Sequence, residues 1–463
     1  MGVLRIPDPV FGWLVVVVIV LQAILEWSGA LWVRWPLMLG TAACVFLLAI
    51  SAQRTGRLFL AVCTALTVAL VVSRSDWPEI LERAVINISF LAAFFSALTI
   101  LRVAAGSSGA MTRAGTFLAT QPPGKRYISL TIGTQVFALL LNFGAIQLLG
   151  TLSLASARRE PDAEIRKIRI RRMLLAIQRG FISALPWSPM AFSTAMAVST
   201  IPGLTWATVA LPGLVSSAIL LGTGWAMDTV FKPKLTRPAP QRRESGLRPR
   251  VLLPLAALLG LMLVPVLTID LLLGIRVVGA VLVIVPVISI VWICLQSRDL
   301  GAFTDRLLAY VHSEVPLYRN DLLLIMSAGY LGVVGAALLV PMMGSAGLDV
   351  TQTGPVLLLM GLLWIMPLFG QIGANPILTM SLVAPVLPPA ADFGLTPQAF
   401  AVALLCGWAL TGLTSPFTAT NMLVGRFGEI RTTHVGWVWN RGYFLISVML
   451  LSIWVLVHAF WIA

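Results

Sequence analysis

Apolar stretches too long for a water-soluble core dominate this chain. Residues 10–25, 31–50, 58–72, 84–101, 173–200, 206–230, 251–267, 271–295, 322–342, 400–424 and 442–462 are rich in Leu, Val, Ile, Ala and Phe. A helix needs about 20 such residues to cross the hydrocarbon of a bilayer. Inside that hydrocarbon every backbone amide must find its partner within the protein. The expected fold class is therefore an all-α polytopic membrane protein with about eleven transmembrane helices. Only 11% of the 463 residues are charged, against about 25% in soluble domains.

The basic residues fix the expected orientation. Net charge is +14, almost all of it from Arg, and in a soluble chain this would point to nucleic acid. Here the Arg residues sit in loops between apolar segments, where the positive-inside effect accounts for them and no nucleic-acid partner is expected. Counting from a cytoplasmic N-terminus, every strongly basic loop lands inside and the C-terminus outside. Arg34, Arg74, Arg83 and Arg276 are the outside or interfacial exceptions. Residues 10–25 read as a first membrane helix, because no small-x-small cleavage site follows. The expected location is a bacterial-type inner membrane, with the lipid bilayer as partner.

Two helices should break. Ser188-Pro189-Met190-Ala191-Phe192-Ser193-Thr194 aligns without gaps onto Ser415-Pro416-Phe417-Thr418-Ala419-Thr420-Asn421, and upstream Gly180 falls on Gly407. Proline removes a backbone donor inside each apolar run. Before each break lies a second matched stretch, Phe143 to Leu149 and Ile372 to Leu378. Residues 127–156 lie between two Arg-bearing stretches, so a re-entrant hairpin keeps both inside; 353–388, flanked by Asp349 and Asp392, should enter from outside. With residues 10–25 set aside, each half has five crossings plus a hairpin. Five is odd, so the halves should be inverted. Matched interruptions in two halves are a sequence pointer to a transporter's binding site.

This arrangement resembles the ion transporter superfamily and, within it, the divalent anion:sodium symporter family. The resemblance implies a homodimer in which a transport domain slides past a fixed scaffold, as an elevator does. Residues 1–126 and 251–345 would be scaffold, 127–231 and 346–463 the two transport halves, and 232–250 a cytoplasmic linker. Hairpin tips in that family help bind sodium and a substrate carboxylate. The tips here read Gly144-Ala145-Ile146-Gln147 and Gly373-Ala374-Asn375-Pro376, so of the tip motif only Asn375 is kept. Sodium would lie near Gly144, Ala145, Gly373 and Ala374, and the coupling ion, Na+ or H+, stays open.

The expected solute-binding residues are Ser188, Ser193, Thr194, Ser415, Thr418, Thr420 and Asn421 at the breaks, with Asn142, Gln147, Gln371 and Asn375 at the tips. Half-helix N-termini there would offer N–H groups to an anion. Ser and Thr also occur in membrane helices simply to bond a neighbour. Arg179, about two turns before the first break, reads as a side chain reaching back to the cytoplasmic interface beside Arg171 and Arg172; the alternative is attraction of an anionic solute. Asp228 is the deepest carboxylate and sits near a segment end. His458 reads as interfacial, and Cys44, Cys63, Cys294 and Cys406 as small core residues without metal-type spacing. No catalytic motif or cofactor signature is present. The expectation is a secondary transporter of a small, anionic solute, the alternative being a membrane enzyme or assembly factor acting on a lipid-linked or polymeric substrate.

Overall fold

A computed structural model describes residues 8–106, 108–232, 248–347 and 350–462. Most of the expected linker (233–247), Asp349 and the first seven residues lie outside the described residues. The fold is all-α, and among the described residues no strand occurs. In chain order the helices are α1 (Asp8–Ser28), α2 (Arg34–Ser51), α3 (Arg54–Ser73), α4 (Trp77–Gly106), α5 (Gly109–Ala119), α6 (Pro123–Leu141) and α7 (Gly144–Ala157). Next come α8 (Ala163–Ala184), α9 (Phe192–Thr200), α10 (Trp206–Val230), α11 (Leu253–Leu273), α12 (Val277–Gln296), α13 (Leu300–Ala309) and the single turn α14 (Val315–Leu317). The last are α15 (Arg319–Ser345), α16 (Pro355–Gln371), α17 (Pro376–Val383), α18 (Pro397–Thr414), α19 (Ala419–Gly428), the turn α20 (Thr432–His434) and α21 (Arg441–Val457).

Ten helical stretches among the described residues are long and apolar enough to cross a membrane. The eleventh expected crossing, α8 with α9, is missing from these for a physical reason. Arg166, Lys167, Arg169, Arg171 and Arg172 occupy its first half, and only from Met173 onward is α8 continuously buried. Asp162 starts α8 by accepting from Glu164 N at 2.8 Å and Ile165 N at 3.2 Å, a side-chain cap.

Both expected hairpins form. The helices α6 and α7 meet at Asn142, whose φ of 49° supplies the reversal. The helices α16 and α17 meet at Gly373, with φ of 93°, where a side chain would be strained. Near the feet of the first hairpin the chain is crowded with cations. Burial, and then Arg169 and Arg172, push the Arg126 guanidinium down to about 10.

Each hairpin lies against one broken helix through a glycine. A Cβ on Gly180 of α8 would strike the Thr131 carbonyl of α6, and a Cβ on Gly407 of α18 would strike the Leu363 carbonyl of α16. These are aligned positions of the two halves, so the same close approach is made twice. Within this unit α18 is buried from Ala399 to Thr414, whereas outside it α3 buries only Leu70. Of the cysteines, Cys44 and Cys406 are buried, but Cys294 is exposed on α12 rather than in a core.

Gly180→Ala and Gly407→Ala should each destabilise the protein by about 1–3 kcal/mol, the usual cost of forcing a methyl into a packed site. Gly335→Ala, where a Cβ meets nothing within 4 Å, should be neutral. Apparent melting temperatures in detergent micelles compare the three.

Candidate functional site

The two breaks are closed by the same hydrogen bonds. At the first, Ser188 Oγ accepts from Met190 N at 3.2 Å; at the second, Ser415 Oγ accepts from Phe417 N at 3.3 Å. Ser193 Oγ donates to Leu185 O at 2.6 Å, and its counterpart Thr420 Oγ1 donates to Gly412 O. Thr194 Oγ1 donates to Ser188 O, and its counterpart Asn421 Nδ2 donates to Ser415 O at 2.7 Å. Donors and acceptors fall on aligned residues throughout. Thr418 Oγ1 adds a bond to Ser415 O at 2.9 Å.

These side chains thus cover carbonyls stranded where the helix stops. Amides on the far side are treated differently. The residues before α9 and α19, Ala191 and Thr418, make no side-chain cap. An uncapped helix start leaves up to four N–H groups without an intrahelical partner and carries a partial positive charge. Carbonyl ends quenched and amide ends free is an arrangement that favours an anion.

The structure sorts the expected site residues into two groups. Ser188, Ser193, Thr194, Ser415, Thr420 and Asn421 are buried at the breaks, and Thr418 is half-buried. Gln371 joins them, donating to Thr414 Oγ1 at 3.2 Å and accepting from Trp437 Nε1 at 3.1 Å. The tip of the second hairpin is tied to its break by Ser415 Oγ donating to Gly370 O at 2.6 Å. Asn375, by contrast, caps α17 through Ile377 N at 3.0 Å. Asn142 makes the first hairpin's turn, and the exposed Gln147 accepts from Arg102 Nη2 at 3.1 Å. Phe143 at this tip stacks on Phe181 of α8, centroids 5.0 Å apart. Gly144 and Ala145 are buried, while Gly373 is exposed. No group of three His, Cys, Asp or Glu side chains comes together among the described residues, so sodium near these residues would be held by carbonyls and hydroxyls.

Arg179 departs from its expected place. It lies seven residues beyond Arg172, about 10 Å deeper at the helical rise, and does not reach back to the interface. It is 6% exposed. Its Nε donates to Asn440 Oδ1 at 3.4 Å, its Nη1 to the Tyr127 hydroxyl at 3.2 Å, and its guanidinium covers the Tyr443 ring at 4.2 Å. No carboxylate pairs with it among the described residues. A ring face and neutral oxygens attract a cation without cancelling it, so the charge persists. Asp228, the deepest carboxylate by sequence, is committed to Arg172 in a two-bond fork of 2.8 and 2.6 Å. His458 is also corrected: it is buried beside Trp454, centroids 5.7 Å apart.

Sequence reading missed Gln178 and Asn440. Asn440 Nδ2 donates to Gln178 Oε1 at 2.9 Å, and Gln178 Nε2 donates to Asn421 Oδ1 at 2.7 Å and Gly412 O at 3.2 Å. A buried chain of polar groups thereby runs from the second break to Arg179. Gln178 gave one signal, an amide side chain inside an apolar run, whereas Asn440, beside Arg441 between two crossings, gave none.

No known protein-family model matches the sequence, and no curated protein does. The fold is shared with solved structures. The YdaH transporter of Alcanivorax borkumensis superposes with a TM-score of 0.57 over 87% of this chain and 98% of its own, at 17% identity. MtrF of Neisseria gonorrhoeae, described as illuminating a class of antimetabolite efflux pumps, superposes with a TM-score of 0.56 over 89% of this chain and 96% of its own, at 15% identity. These likenesses define a polytopic, all-α membrane fold.

Asn421→Ala leaves several buried groups without partners and should cost about 1–3 kcal/mol for each one not rescued by water. Gln178→Leu should cost a similar amount, and the double variant less than the sum, since the two share a bond. Ser452→Ala, which loses only a bond to its own helix at Val448 O, serves as control. Thermal unfolding of the four proteins reads the coupling.

Proposed function

We propose that this chain is a secondary active transporter that moves a small anionic solute across a bacterial-type inner membrane by an elevator motion. The observation that carries the proposal is the duplicated break, with its carbonyls covered by side chains and its following half-helices uncapped. Arg179, buried and without a carboxylate, supports the preference for an anion. The solved transporters of the same fold support the class, and the sequence resemblance to the ion transporter superfamily is the analogy followed for the mechanism. The reading includes inverted halves, a homodimer, a cytoplasmic N-terminus and an external C-terminus.

The elevator component rests on relative height. The first hairpin's tip touches Arg102, close to the end of α4, and Arg102 in turn meets Tyr318, just before α15. If α4 ends and α15 begins on the cytoplasmic side, the tip sits low against the scaffold, as in a cytoplasm-facing state. Motion would then require slippage where α9 meets α4, through Phe192 with Phe94 and Phe95, and where α17 meets α15 at Gly332. The ring contacts hold no directional bond, whereas the backbone approach of Gly332 to Ser381 O would have to open before the two helices could slide.

The purified protein in liposomes should take up at least one labelled mono- or dicarboxylate saturably, above empty liposomes. Runs with a sodium gradient, a proton gradient or neither identify the coupling ion. Asn421→Ala and Thr418→Ala should raise the half-saturating concentration by about 5- to 150-fold if each loses one buried hydrogen bond to the solute path. No uptake across a panel of organic and inorganic anions overturns the proposal. In a cysteine-free background, single cysteines at the exposed positions Arg159 and Asp392 should label from opposite faces; labelling from one face overturns the inverted halves.

A further inference from the structure

A second cation stands beside the tip of the first hairpin, and unlike Arg179 it is open to water. Arg102, near the end of α4, is half-buried, and its bond to the exposed Gln147 Oε1 at 3.1 Å is solvent-accessible. Its Nε lies 3.6 Å from where a Cβ on Gly144 would sit, so the guanidinium rests directly on the turn of the first hairpin. The Tyr318 hydroxyl accepts from Nη1, and the Tyr318 ring lies under the guanidinium at 5.8 Å. Tyr318 is itself held edge-on by Phe95, centroids 5.7 Å apart. Glu314 and Asp321 lie near enough to act on Tyr318, yet neither forms an ion pair with Arg102 among the described residues. One side of the guanidinium is therefore fixed by an aromatic clamp, and on the other its partner among the described residues is a neutral amide oxygen. Arginine presents its donors in a fork that fits a carboxylate or similar oxyanion in two bonds. A carboxylate is a stronger acceptor than the Gln147 amide and would displace it.

We infer that Arg102 is an anion-binding residue, presenting its guanidinium from α4 to the tip of the first hairpin, where it takes the carboxylate or sulfonate end of a small solute. This deepens the transport reading and rests on it for the solute's fate, not for the binding. Because Arg102 and Gln147 belong to elements that would move apart in an elevator, the contact exists only while the tip is low. The anion is met on the cytoplasmic side and released from Arg102 when the hairpin leaves.

Charge-selective thiol labelling tests this without knowing the natural solute. With Cys44, Cys63, Cys294 and Cys406 replaced, Gln147→Cys puts a thiol beside Arg102. The probes are the anionic 2-sulfonatoethyl and the cationic 2-(trimethylammonium)ethyl methanethiosulfonates. The rate ratio, anionic over cationic, should fall about tenfold on adding Arg102→Gln and should be kept in Arg102→Lys; raising salt should also lower it. A ratio unmoved by Arg102→Gln overturns the assignment. So does a ratio lost in Arg102→Lys, which would mean that the helix end has shifted rather than that a charge was removed. Uptake by the same liposomes reads the transport proposal separately. Uptake with an unmoved ratio overturns Arg102 alone, whereas a charge-dependent ratio with no uptake supports the anion site and overturns transport.

Discussion

Unsatisfied backbone in hydrocarbon is the constraint on which this structure turns. Stopping a helix in mid-membrane strands its last carbonyls, each costly to leave unpaired away from water. Ser193 and Thr194 at one break, and Thr420 and Asn421 at the other, return to those carbonyls from the next half-helix. The polar residues therefore hold the break open as much as they line it. Their reach also sets the spacing, because each must sit on the first turn after the break to bend back. The amides that start α9 and α19 receive no such side-chain cap.

Much of this was legible in the chain. Proline and hydroxyl residues in an apolar run announce a break, and their gapless alignment placed both breaks, while the charge of the flanking stretches placed both hairpins. The crossing expected over 173–200 begins ten residues earlier than its apolar residues suggest, because α8 runs back through the charged stretch to Ala163. What could not be read was which way side chains turn. Ser193 and Thr194 look like solute ligands in sequence, and their hydroxyls instead face inward to Leu185 O and Ser188 O. Long-range partners were equally hidden. Gln178 gains its role only beside Asn421 and Asn440, and Arg102 only beside Tyr318 and Gln147. Arg179 was misread because snorkelling is the usual escape for an arginine near a membrane surface. A ring from α21 and two neutral oxygens made burial tolerable instead.

The doubled glycine contacts give the assembly its mechanical character. Where Gly180 meets Thr131 O and Gly407 meets Leu363 O, helix backbones touch without intervening side chains. Such contacts resist sliding, because any shift drives a side chain into a carbonyl. Each hairpin and its broken helix accordingly behave as one piece. The contacts of α4 with α9 are built from aromatic rings, whose dispersion attraction survives small displacements better than a directional bond does.

Arg179 has an electrical consequence. The Arg179 guanidinium, lying over Tyr443, is a positive charge fixed to the body that carries it. Were that body to travel across the membrane field, its empty form would move a positive charge and its form loaded with a monovalent anion would move almost none. Each elementary charge crossing the field exchanges about 2.3 kcal/mol per 100 mV. The membrane voltage would then act on the return of the vacant carrier rather than on the loaded one, and a cell's resting potential would hold the vacant carrier toward the cytoplasm.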